Sequence, residues 1–279
     1  MNKVTFTEKD HKYSNSEGIQ YISTTTVVSK YKQAFDSEYW STYKAIEKIL
    51  TENKSKAYFD QVKKKIGFEQ IIPHFVNMIN PEVIHKYKNQ ILSEWDKKNK
   101  DAQDAGTAYH KAKQEEVNAS ISDQIRIVGT TDNDSLTSLP GGVHTELTIW
   151  NHSNRLAGQA DKVIVEDFYD PFTDTTTRFI DIEDYKTSNK IERESFKHFN
   201  KGYTMMKYPL DNLMDCNVSH YQMQLSVYGW MLEQYGYKIR NLTLYFSKHD
   251  EKVPVQYRPD LVNKMLLHVQ EKESKRTTR

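Results

Sequence analysis

The stretch Phe179-Ile-Asp-Ile-Glu-Asp-Tyr-Lys186, followed by Thr187, reads as a short strand that closes on an acid and a lysine two residues apart. Strand side chains alternate between faces, so Asp184 and Lys186 share one side with Ile180 and Ile182, and Glu183 points to the other. A carboxylate beside an ammonium at a strand exit is what metal-assisted phosphodiester cleavage requires. An acid and a lysine so spaced are also a common surface ion pair, so the weight comes from the surroundings. About 20 residues upstream, at hairpin spacing, Leu156-Ala-Gly-Gln-Ala-Asp161 runs into Lys162-Val-Ile-Val165. Gly158 fits a bulge or a close backbone approach there. The segment between, Glu166 to Thr177, is dense in turn formers. Such a hairpin brings Asp161 and Asp184 to one end of a sheet, where two carboxylates can share a hard divalent cation.

Two further pairs have helical spacing. Gly106 and His110 are four residues apart at the head of a run through Val117, and Gln224 and Tyr228 are four apart in a helical stretch from Ser219 to Tyr235. In that second stretch Tyr221, Leu225 and Leu232 read as core. A Ser/Thr-rich segment, Tyr21 to Tyr31, has the form of a strand residue, a cap cluster and a helix start. Free N–H groups at a helix start favour phosphate, whereas ordinary capping by Ser23 or Thr24 accounts for the pattern equally well.

These elements, in this order, resemble the PD-(D/E)XK nuclease superfamily, in particular its RecB-type branch. That branch carries G-x-x-x-H on a helix, G-x-x-D, D-x-K followed by Thr, and Q-x-x-x-Y on a helix. Here they stand as Gly106 to His110, Gly158 to Asp161, Asp184 to Lys186 with Thr187, and Gln224 to Tyr228, over about residues 100 to 235. Size and layout are also similar to phage exonucleases and to the mitochondrial genome maintenance exonucleases of the branch. The resemblance implies an α/β fold with a restriction-endonuclease-like mixed β-sheet flanked by helices, preceded by a mainly helical lobe. It implies an exonuclease acting on DNA ends, single-stranded DNA favoured, in replication, recombination or repair. An endonuclease for flaps, junctions or duplex sites is the alternative within the class. A catalytically silent nucleic-acid-binding protein on the same fold is the alternative outside it.

On that resemblance Asp161 and Asp184, with the Tyr185 carbonyl and His110, are the expected ligands of Mg²⁺ or Mn²⁺. Lys186 is expected to orient or deprotonate the attacking water or to neutralise the phosphorane. Glu146, on a preceding strand, and Thr187 are expected as support. Gln224, Tyr228, Ser23, Thr25, Tyr31, Lys111 and Lys113 are expected to face the nucleic acid, with bases stacking on Tyr31 or Tyr109 in an arch formed by the helical lobe. Gln224 and Tyr228 have a second reading, as braces of the acid–lysine strand. Many relatives carry four cysteines around an iron–sulfur cluster; this chain has only Cys216, so no such cluster can form.

Composition bounds the rest. The 279 residues include 18 Tyr and 11 Phe, enough for a sizeable core. One cysteine excludes a disulfide framework and fits a reducing cytoplasm, so an unsecreted protein is expected; the resemblance to phage exonucleases implies a bacterial or phage-infected host cytoplasm. No apolar run approaches a membrane span. With 39 basic and 38 acidic residues the net charge is only +1, so a DNA partner must be met by local patches. Lys63–Lys65, Lys97, Lys98 and Lys100, Lys111 with Lys113, and a basic, frayed tail from Lys272 are the candidates, although most charge runs are solvated faces. A single nuclease domain over 1–279 is expected, with a hairpin and helical lobe over about 1–140 and a catalytic core over about 141–279. Residues 3–22 read as one hairpin, 25–117 as helices broken near Gly67, Pro73 and Pro81, and 119–142 as a mobile loop. Strands over 143–150, 160–165, 179–185 and 242–246 and a last helix from about 259 to 272 complete the reading.

Overall fold

The computed structural model describes residues 3–120, 127–129, 135–198 and 202–277, with side chains of residue 9 and residues 273–277 outside the description. The chain divides into two compact units, residues 1–33 with 106–279, and residues 34–105. The division therefore falls at 33/34 and 105/106, and residues 106–140 group with the sheet. No signal marks 105/106 because it lies inside one continuous helix.

The sheet unit opens with β1 (Val4–Thr7), β2 (Lys12–Asn15) and β3 (Gln20–Ser23) and a short helix α1 (Thr24–Ser29). This is a three-stranded meander where a single hairpin was expected. The turn forms at Asn15, whose side chain accepts from the N–H groups of Glu17 and Ile19, an Asx turn. The helical unit contains α2 (Ser37–Glu52), α3 (Lys56–Ile66), α4 (Ile71–Phe75) and the start of α5 (Pro81–Ala119). Its interior is aromatic: Tyr43, Phe59 and Phe75 pack with Ile46 and Ile71, and Trp40 stacks on Phe68. Pro81 occupies the first position of α5, where its missing N–H costs nothing. Pro73 does not break the chain as expected; it lies within the first turn of α4, where N–H groups lack helical partners in any case.

The rest of the sheet unit comprises β4 (Ile127–Gly129), β5 (Gly142–Asn151), β6 (Leu156–Asp170), β7 (Thr175–Lys186), β8 (Lys197–His198), β9 (Gly202–Tyr203), α6 (Asn217–Glu233), β10 (Lys238–Phe246), β11 (Glu251–Val255) and α7 (Pro259–Thr277). The main sheet is mixed, in the order β1-β2-β3-β6-β7-β10-β11, with β5 also paired to β6 and β4 to β5. The fold is thus mixed α/β. The span 119–142 is more ordered than expected where it is described. Leu136 and Leu139 are fully buried, and the Leu139 N–H donates to the Tyr237 hydroxyl. Residues 121–126 and 130–134 of that span lie outside the described residues. The last helix continues through Thr277, past the tail expected to fray. No helix among the described residues is long and apolar enough to cross a membrane.

One topological feature positions the candidate site. On the edge of β6 away from β5, residues 156–157 pair in parallel with β3, and residues 162–170 pair antiparallel with β7. Between them, residues 158–161 have no strand partner on that edge, so the sheet forks there.

Candidate metal centre at the fork of the sheet

The hairpin register sets the acids. Lys162 pairs with Glu183 as the last rung of the β6–β7 ladder, so Asp161 and Asp184 occupy the next, opposing positions. Both continue an apolar face: Val163 and Val165 of β6 and Ile180 and Ile182 of β7 are buried behind them. Asp161 is 7 % exposed and Asp184 2 %. Beyond this rung the ladder is open, and the Asp161 carboxylate takes the place of a backbone partner. Its Oδ2 accepts from the Tyr185 N–H at 2.6 Å, and its Oδ1 lies 3.1 Å from His110 Nδ1. On the opposite face Glu183 pairs with Lys252 at 2.7 Å, as an outer-face charge should.

The fork is closed from α6. The Tyr228 hydroxyl donates to the Gln159 carbonyl at 2.9 Å, satisfying a backbone acceptor on the unpaired edge. Gly158 makes this approach feasible: a Cβ there would stand 2.5 Å from Tyr228 Cε1 and 2.8 Å from Thr24 Oγ1. The close-approach reading of Gly158 is the one realised. Gly106 is different, since a Cβ there would meet only Thr187 Oγ1, at an ordinary 3.5 Å.

Glu146 enters from β5. Thr145 pairs with Lys162 and Leu147 with Ala160, so Glu146 lies opposite Asp161. The Glu146 backbone has φ 50, a left-handed conformation that a non-glycine residue adopts at a cost of about 1–3 kcal/mol. His110, Glu146 and Asp161 each offer a ligand atom, and the three lie within 4.8 Å of one another. Sequence reasoning placed Glu146 in support and Asp184 among the ligands; the convergent triad includes Glu146, while Asp184 Oδ2 is held by the Lys186 ammonium. No periodic signal announces Glu146, because its position depends on a local departure from strand geometry.

The electrostatics follow from two buried carboxylates and one half-buried one on neighbouring strands. Burial first, then Asp161 and Asp184, push the Glu146 carboxyl up to about 7, with His110 pulling the other way. Burial and Asp161 likewise hold Asp184 above the usual carboxylate range against the pull of Lys186. Burial opposes charge on Lys186, but Asp184 and Asp161 outweigh it and keep the ammonium above its ordinary value. Burial also opposes charge on His110, and Asp161 overcomes it, so the imidazolium is favoured. One nitrogen and two or more carboxylate oxygens around a site with surplus negative charge fit a small dication. In the metal-free protein the proton on His110 and its bond to Asp161 compete for the same ligand atoms.

The remaining candidates separate into three groups. Tyr31 is 3 % exposed and its hydroxyl donates to the Met265 carbonyl at 3.2 Å, so it is a core residue that no base can reach. Tyr228 is equally buried; it braces β6 at Gln159, not the acid–lysine strand. Burial of both reflects contacts with α7 and β6, which are distant in sequence. Gln224 donates to the Tyr228 hydroxyl at 3.1 Å. Ser23 caps α1 by accepting from the Thr26 N–H at 3.0 Å, the capping reading. Lys113 is tied to Glu116 at 2.8 Å. Thr25 and Lys111 are exposed, and Tyr109 is half-buried, edge-on to Tyr185. Tyr221 was expected as core; it is partly buried, and the Lys186 ammonium sits 4.4 Å from its ring centroid.

No protein-family model matches the chain, and no curated protein matches it.

Proposed function

We propose that this protein is a divalent-metal-dependent deoxyribonuclease on a restriction-endonuclease-like core, an exonuclease of the RecB-type branch acting on DNA ends. The observation that carries the reading is the opposing pair Asp161 and Asp184 at the open end of β6–β7, with His110 on the first and Lys186 on the second. The surrounding geometry supports it. His110, Glu146 and Asp161 would hold Mg²⁺ or Mn²⁺, and Asp184 and the Tyr185 carbonyl are the nearest candidates for further oxygens. When bound, such an ion supplies charge that polarises a phosphate and lowers the pKa of a water.

The chain's own residues do the rest. Asp184 keeps Lys186 charged and fixes its direction, so the ammonium acts first as a donor to a phosphate oxygen whose charge grows during attack. Tyr221 covers the ammonium from one side and limits its freedom. Asp161, anchored by the Tyr185 N–H, holds the ends of β6 and β7 at a fixed separation. Exposed Thr25 and Lys111 and half-buried Tyr109 are the contacts left for the strand. Digestion of 5′- and 3′-labelled single- and double-stranded DNA with Mg²⁺, Mn²⁺ or chelator, comparing wild type with Lys186→Ala, tests the proposal. Metal-dependent release of end label, lost in the variant, is expected. Equal digestion by both proteins would remove Lys186 from the reaction, and cutting of a closed circular single strand would exclude a strict exonuclease.

A further inference from the structure

A second group of charged side chains lies within electrostatic reach of Lys186 and has no part in the cleavage chemistry above. The segment after α1 is stapled to the loop before α6. The Gln33 N–H donates to Asp215 Oδ2 at 2.8 Å, Gln33 Nε2 donates to the Met205 carbonyl at 2.8 Å, and the Lys207 N–H donates to the Tyr31 carbonyl at 2.7 Å. These bonds fix the backbone on both sides of Lys32. The other Asp215 oxygen is taken by His220 Nε2 at 2.5 Å. Asp215 is therefore fully engaged, and Lys32, although half-buried, makes no ion pair with any described residue.

The charge balance around Lys32 is uneven. Burial, and after it the like charge of Lys186, disfavour its ammonium, and only Asp215 supports it. Lys32 in turn disfavours charge on His220, which burial already lowers. Lys32 and His220 thus depend on the single carboxylate of Asp215, and His220 precedes Tyr221, whose ring carries the Lys186 ammonium. Its backbone neighbours are fixed and its side chain is half-buried, so an anion in reach would relieve the ammonium. A phosphate suits the slot, since its oxygens accept from the Lys32 ammonium, which has no ion pair of its own.

We propose that Lys32, with His220 beside it, is a phosphate-positioning site that takes a phosphate of the nucleic-acid strand next to the one Lys186 serves. The site rests on the nuclease reading for its ligand. The phosphate is either a terminal monoester or an internal diester, and the test separates them.

The experiment is fluorescence-anisotropy titration of single-stranded oligonucleotides, with a 5′-phosphate or a 5′-hydroxyl, in chelator and over a range of salt. Wild type, Lys32→Ala and Lys32→Arg are compared, with melting temperatures to confirm folding. Lys32→Ala is expected to weaken binding several-fold and to reduce the slope of log affinity against log salt by about 0.7, the value for one single-strand phosphate contact. Lys32→Arg is expected to keep both. Loss confined to the 5′-phosphorylated oligonucleotide marks a terminal monoester, and equal loss on both marks an internal diester. Unchanged affinity and slope in Lys32→Ala would overturn the phosphate site while leaving the nuclease reading intact. A wild-type protein that binds neither oligonucleotide would overturn both.

Discussion

The β6–β7 ladder has two ends made by the same two strands in the same register, and they treat charge in opposite ways. At the turn end, residues 167–170 and 175–178 pair only with each other, because β5 begins at Gly142, opposite Val165, and β10 begins at Lys238, opposite Phe179. Asp170 there accepts from the Phe172 N–H and the Thr173 hydroxyl, and those bonds hold its carboxyl below the usual range. Asp167 pairs with Arg178 at 2.8 Å, and Phe172 is 96 % exposed. At the fork end, burial drives Glu146 and Asp184 upward instead. The lesson is that strand pairing sets where the acids stand, but the layers around each end set what protonation costs. Only at the fork end does burial dominate in opposing the charge of the carboxylates, and there a cation has most to offset.

The sharpest way to break this contrast is at the acids and the lysine. Asp161→Ala is expected to abolish divalent-ion binding measured by calorimetry and cleavage with it. Lys186→Ala is expected to lower kcat by about 10²–10³-fold, as for loss of a donor to developing charge, while leaving ion binding in place. Equal loss of ion binding in both variants would make Lys186 a structural residue.

Next come the parts that keep the fork open. Gly158→Ala forces a Cβ into Tyr228 and Thr24 and is expected to destabilise by about 1–3 kcal/mol in denaturant melts. Tyr228→Phe leaves the Gln159 carbonyl without its partner, at about 1–3 kcal/mol. A stability like wild type in both would mean that β3 and β7 hold the fork unaided.

A smaller effect is carried by pH. The folded carboxyl of Glu146 titrates at about 7, against an ordinary 4.5, so the folded protein retains this proton after the unfolded chain has lost it. Its contribution is full below pH 4.5 and is lost as pH rises through about 7. The melting temperature of metal-free protein is therefore expected to fall across this window, and less so in Glu146→Gln. Added Mn²⁺ should raise it more above pH 7 than below. A Glu146→Gln curve parallel to wild type would assign the slope to other groups. The smallest expected effect is at the turn: Phe172→Ser should change stability by no more than about 0.5 kcal/mol and leave cleavage unchanged.

Much of the fork end was legible in the sequence, for physical reasons. The two-residue period of strands fixed Asp184 and Lys186 on the buried side, and the turn-forming segment fixed the hairpin that sets Asp161 against Asp184. The i,i+4 spacing of Gly106 and His110 placed them on one face of α5. What could not be read depended on contacts between distant segments. Tyr31 and Tyr228 look like exposed aromatic candidates until α7 and β6 cover them. The β11 strand escaped notice because Pro254 interrupts its pattern, which an edge strand tolerates. The unit boundary escaped because helix α5 runs through it unbroken.

The left-handed backbone at Glu146 has a practical corollary. Glycine would be at ease in that slot, whereas a glutamate holds it at a conformational cost. Glu146→Gly should therefore yield a sturdier scaffold that has surrendered a donor, and a designer seeking an inert, well-folded form of this protein would begin at that position.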